Sequence, residues 1–98
     1  MNPSLYPAIL RYQLPIASER HTIKIPSAHK ILSCAPARAG YAIDVWVKTS
    51  PSHHDTDVIF HVFGTGHSLP DVRGTLEFIG TNVMDDGLVW HLFQEVAF

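Results

Sequence analysis

The sequence predicts an all-β fold, a single small antiparallel β-sandwich or barrel of about seven short strands. Three observations carry that expectation. Prolines at 3, 7, 15, 26, 36, 51 and 70 leave few places for a helix longer than about 12 residues. Between the prolines, apolar side chains recur at the period of two that puts one face of a strand in a core. Turn-forming residues punctuate those runs about every eight to twelve positions, the spacing of sandwiches and small barrels.

Taken in order, residues 1–8 read as an N-terminal extension to one domain that fills the 98-residue chain. Ile9 to Leu14 and His21 to Ile25 are the first alternating runs, with Ile23 and Ile25 on one face and Thr22 and Lys24 on the other. Lys30 to Ala35 is the next, and SERH and PSAH read as the intervening turns. The clearest strand is YAIDVWVKT, in which Tyr41, Ile43, Val45 and Val47 oppose Ala42, Asp44, Trp46 and Lys48. TSPSHHDTD reads as a polar loop, and Asp57 to Phe63 is apolar on both faces, as an interior strand should be. Thr75 to Ile79 is a short strand, and Asp85-Asp86-Gly87 is a hairpin signal because Gly87 can take positive φ. The final run, LVWHLFQEVAF, lacks helix breakers, but its β-branched and aromatic residues favour a strand paired with Thr75 to Ile79 over a helix.

Composition bounds the function. Apolar residues make up 46% of the chain against 16% charged, a balance that builds a core and excludes disorder. A net charge of −2 without a basic run argues against duplex nucleic acid as a partner. The lone Cys34 has no partner for an intramolecular disulfide or a Cys-x-x-Cys zinc site, which points to a reducing interior, and the residue reads as a small buried hydrophobe. Proline interrupts the N-terminal segment where a secretory signal would be apolar, and no run reaches the length of a membrane span, so no membrane partner is expected.

One stretch invites a chemical reading. In Phe63-Gly64-Thr65-Gly66-His67, two glycines about a threonine let successive backbone amides face one hollow, which can hold a phosphate or carboxylate. Thr65 and His67 would add side-chain donors. The commoner use of such a pair is a strand exit that needs positive φ. His61 and His91 occupy equivalent places in FHVF and WHLF; if the two strands adjoin, both imidazoles could line one pocket with Phe63 and Phe93 and stack a base. Histidines in such strands are more often partly buried and satisfied by backbone carbonyls. The expected ligand-binding residues are thus Gly64, Thr65, Gly66, His67, His61, His91 and Phe63. His53, His54, Asp55 and Asp57 have the right atoms for zinc or manganese but match no familiar ligand spacing, and neither metal nor cofactor is expected. No nucleophile elbow or catalytic-cysteine context is present, and Glu77 and Glu95 read as exposed strand positions, so the chain is not expected to be an enzyme.

Arg11-Tyr12-Gln13-Leu14-Pro15-Ile16, Thr22-Ile23-Lys24-Ile25-Pro26, Lys30-Ile31-Leu32-Ser33, Phe63-Gly64-Thr65-Gly66-His67-Ser68-Leu69-Pro70 and Phe78-Ile79-Gly80-Thr81 occur in that order. In this the chain resembles a family of small uncharacterised proteins of bacteriophages and prophages, over about residues 9 to 93. It departs from them by residues 1–8 and by the longer loop at Ser50 to Asp57. The resemblance implies an accessory protein made in a host bacterial cytoplasm and carries over no catalytic residue. The expected function is counter-defence by binding, with the protein sequestering a nucleotide immune signal. The alternative is direct inhibition of a host defence protein, as an anti-CRISPR protein does. Acidic residues scattered along the chain speak against nucleic-acid mimicry. Metal-dependent hydrolysis through the His53 to Asp57 group ranks last. Exposed strand edges lead us to expect a homo-oligomer.

Overall fold

A computed structural model of the chain describes residues 7–17, 19–38, 41–50 and 54–96. They form seven strands: β1 (Ala8–Pro15), β2 (Arg20–Pro26), β3 (His29–Pro36), β4 (Ala42–Thr49), β5 (Asp55–Gly64), β6 (Thr75–Val83) and β7 (Val89–Val96). All pair antiparallel, in a three-stranded sheet of order β1-β4-β3 and a four-stranded sheet of order β2-β5-β7-β6. The C-terminal segment is a strand on β6, and β5 is interior, between β2 and β7. No helix of the described residues is long and apolar enough to cross a membrane.

The alternation of the strands explains how the sheets meet. Ile43, Val45 and Val47 of β4 face Val58, Phe60 and Val62 of β5, and Leu14, Ile25 and Leu92 complete a cluster that is at most 4% exposed. Burying a side chain of this size is worth roughly 1.5–3 kcal/mol, so the cluster is the main force holding one sheet on the other. No ladder joins the two sheets among the described residues; the fold is a sandwich, and the barrel alternative is not realised. The odd-numbered positions of β5, Ile59, His61 and Phe63, therefore point to the opposite side of the four-stranded sheet.

Where β3 and β6 meet along one side of the sandwich, each carries a register irregularity, between Ile31 and Ser33 and between Phe78 and Gly80. Such bulges bend a strand and re-aim the side chains beyond them. Just beyond these two, Cys34 on β3 packs at Gly80 on β6, where a Cβ would stand 2.7 Å from the Cys34 sulfur. Gly80 is thus a matter of space. Cys34 is half-buried, and that burial pushes its thiol pKa up, outweighing a hydrogen bond with Asn82 that acts the other way. The thiol is kept protonated and poorly nucleophilic.

One boundary differs from expectation. Asp55 to Asp57 reads as loop in sequence because aspartate is a poor strand former. It lies in β5 because β2 pairs along it, Pro26 opposite Asp55 and Lys24 opposite Asp57, with the Lys24 ammonium 2.6 Å from the Asp57 carboxylate. That exposed pair raises the Lys24 pKa through its hydrogen bond and charge.

Gly80→Ala should lower stability by about 1–3 kcal/mol through overpacking. Cys34→Ala in the same chain should recover most of that loss, as measured by urea unfolding of the two single variants and the double variant; additive losses would show that the two residues are not in contact.

Candidate functional site

The outer face of the four-stranded sheet carries the polar and aromatic chemistry. Register sets His61 of β5 opposite Phe93 of β7, and Phe63 opposite His91. The His61 and Phe63 rings, two positions apart on one strand, lie parallel with centroids 5.7 Å apart and an interplanar angle of 7°. Phe93 meets Phe63 edge-on at 5.7 Å, and Phe78 meets Phe93 likewise at 5.5 Å, which extends an aromatic row across β5, β7 and β6.

His61 and Phe63 are buried, at 4% and 6% exposure, although they face away from the core. Residues 68–73 line the other side of a cleft of about 610 Å³ whose floor includes those two rings, and Glu19 and Arg20 contribute where β2 begins. Arg20 is opposite His61 in the β2–β5 ladder and so shares its face. On the floor, His61 Nε2 lies 2.7 Å from Glu95 Oε1, a bond that satisfies an otherwise costly buried imidazole. Glu95, which the sequence suggests is exposed, is half-buried in this contact because alternation along β7 puts it on the face of Phe93.

The charge of the cleft is uneven. Three carboxylates line it: Glu95 is engaged by His61, Glu19 lies 3.9 Å from His21, and Asp71 has no cation within 4.0 Å among the described residues. Among the described residues neither Arg20 nor Arg73 has a carboxylate within 4.0 Å, and both line the cleft. Two guanidiniums without such partners, beside a stacked aromatic pair, suit a planar ligand that carries an anion.

The glycine-flanked bend does something else. His67 N donates to the Gly64 carbonyl at 3.0 Å, Thr65 N to the Val89 carbonyl at 3.2 Å, and Gly64 N to His67 Nδ1 at 3.2 Å. Gly66 takes φ of 90°, which marks a tight turn at the strand exit. With three of its amides committed, the bend is not the open anion cradle that the glycine spacing suggests. The His67 ring is seated over Gly64, where a Cβ would come within 2.7 Å of it, and touches Trp90 edge-on at 5.8 Å.

The seven expected residues therefore separate. His61 and Phe63 enter the cleft. Gly64, Thr65 and His67 border a second depression of about 370 Å³ beside Trp90, and Gly66 lines neither. His91 shares the outer face with His61, as the adjoining strands require, but both its nitrogens are engaged, Nε2 with the Thr65 hydroxyl at 2.8 Å and Nδ1 with the Thr81 hydroxyl at 3.0 Å. Sequence reading missed Arg20, Arg73, Glu19, Asp71 and Glu95. Glu95 and Arg20 share the period of two of their own strands, Glu19 directly precedes β2, and Asp71 and Arg73 are brought in by the path of residues 66–74. His53 lies outside the described residues, and among the described residues no group of three or more His, Cys, Asp or Glu could hold a metal ion.

The chain belongs to the family described as Domain of unknown function (DUF7352), whose model matches residues 6–98. No curated protein and no solved structure matches it.

Glu95→Ala should leave the buried His61 ring without its acceptor and destabilise the fold by about 1–3 kcal/mol. Urea denaturation at neutral pH measures this, and an unchanged midpoint would show that the contact does not form in solution.

Proposed function

We propose that this protein acts by binding, and that it holds a small nucleotide-type ligand in the cleft between the outer face of the four-stranded sheet and residues 68–73. One observation carries the reading: Arg20 and Arg73, without carboxylate partners among the described residues, flank the parallel His61 and Phe63 rings. A nucleotide offers what each part recognises, a planar base for the apolar and aromatic surface and a phosphate for guanidinium. The unengaged oxygens of the cleft's carboxylates can accept from base amino groups. The phosphate is assigned to these side chains, since the main-chain amides of the glycine bend are taken.

The resemblance to bacteriophage proteins supplies the setting. In a host cytoplasm, a protein that removes a nucleotide immune signal by occupancy needs affinity and no turnover, in keeping with a site built from binding groups. The second reading, a direct inhibitor of a host defence protein such as an anti-CRISPR protein, is favoured by exposed Phe78 and Val83, at 60% and 64%, on the outer face of β6. The edges of β1 and β2, unpaired among the described residues, support self-association in either case.

Calorimetry with cyclic di- and trinucleotides and ADP-ribose should give saturable heat for at least one of them, with a rise in melting temperature, since a ligand at 100 times its Kd stabilises by about 2.7 kcal/mol. Arg20→Ala combined with Arg73→Ala should weaken that binding at least tenfold while leaving the circular dichroism spectrum unchanged. No heat across the panel would overturn the assignment, and copurification of a host protein through Phe78 and Val83 would favour the second reading.

A further inference from the structure

The other broad surface, the outer face of the three-stranded sheet, has a different character. Core packing turns Ile43, Val45 and Val47 of β4 inward, so Asp44, Trp46 and Lys48 lie on the outer side, where Asp44 is buried at 6% exposure and its Oδ1 has no hydrogen-bond partner among the described residues. Lys48 stands directly between Ile9 of β1 and Lys30 of β3, and Trp46 between Arg11 and Ser33. The cross-strand contact of Lys30 and Lys48 is unfavourable by itself, because like charges directly opposite repel. Neither has an ion pair among the described residues, and both are exposed. Arg11 has only Asp44 Oδ2, at 4.0 Å, and its side chain is 60% exposed. A chain of net charge −2 therefore gathers three cations beside a half-buried tryptophan on one face, with the Asp44 carboxylate on the other side of the indole.

We propose that this face binds single-stranded nucleic acid, with Trp46 stacking a base, Lys30 and Lys48 contacting the phosphate on the side away from Asp44, and Arg11 contacting a phosphate beside the indole. Charge complementarity selects a polyanion, and an anion between Lys30 and Lys48 relieves their repulsion. Geometry selects a single strand. Trp46 and Lys48 are two positions apart on one strand, about 7 Å along the sheet, so a base on the indole leaves its phosphates within reach of the lysines. In a duplex the base faces are already stacked and the tryptophan would have nothing to receive. An aromatic platform bordered by cations on a sheet is the general means of holding single strands without regard to sequence. The face lies on the far side of the sandwich from the cleft, so the two sites are separate.

Fluorescence anisotropy with a labelled oligothymidylate and a duplex of equal length tests this. The single strand should bind more tightly, with a log–log salt slope of about −2 for three phosphate contacts. Lys30→Glu with Lys48→Glu, both at exposed positions, should weaken binding at least tenfold, and Trp46→Leu should weaken it roughly tenfold through lost stacking. Nucleotide binding in the cleft should be unchanged by the lysine substitutions. Equal or tighter binding of the duplex, equal competition by polyglutamate of matched charge, or indifference to Trp46→Leu would each overturn the proposal, as would the absence of binding at low salt.

Discussion

The alternation of β5 is the constraint on which the rest of the molecule depends. Val58, Phe60 and Val62 are pulled onto the three-stranded sheet by burial, and a strand that commits every second residue inward must present the others outward. The outward residues are Ile59, His61 and Phe63. A slip of one residue would put an imidazole into an apolar interior with no acceptor and expose Phe60, so the register is fixed by terms that oppose each other across a single strand. The floor of the cleft is in this sense a by-product of the core.

The same logic orders the remaining faces. Each sheet has an inner surface spent on the shared core, which leaves two outer surfaces for recognition. That of the four-stranded sheet is roofed by residues 68–73 and has depth, stacked rings and side chains of both charges. That of the three-stranded sheet carries cations beside Trp46. Depth suits a small molecule that can be enclosed, and a sheet surface bearing exposed cations suits an extended polyanion. At the seam of β3 and β6, Gly80 and Cys34 fit together so closely that the glycine has no room for a methyl group. The half-buried thiol there has its pKa raised by desolvation, so it contributes volume and not reactivity.

Most of the architecture is legible in the sequence because it rests on local signals. Period-two runs and turn residues mark seven strands, the interior place of β5 and the pairing of the last two strands. Asp55 to Asp57 is less legible, since its strand character comes from β2 and not from its own propensity. Of the cleft, His61 and Phe63 are visible in their strand pattern and Arg20 and Glu95 share the period of theirs, but the path that brings in Asp71 and Arg73 is not visible. Arg20 and Arg73 are brought together by a chain reversal that no pattern encodes, and net charge conceals the gathering of Arg11, Lys30 and Lys48 on one face. The glycine bend misleads for a physical reason. A bend that can offer its amides to a ligand can also spend them on its own carbonyls and histidine, and only the fold decides which.

Chemical-shift mapping is the most direct trial of a ligand held in the cleft. Titration of nitrogen-15-labelled protein with ADP-ribose and with cyclic dinucleotides should move the amide resonances of Arg20, His61, Phe63, Arg73 and Glu95 together, with Gly66 and the outer face of β4 unmoved. Shifts centred on the glycine bend, or none anywhere, would contradict a ligand held by paired arginines over the outward side of β5.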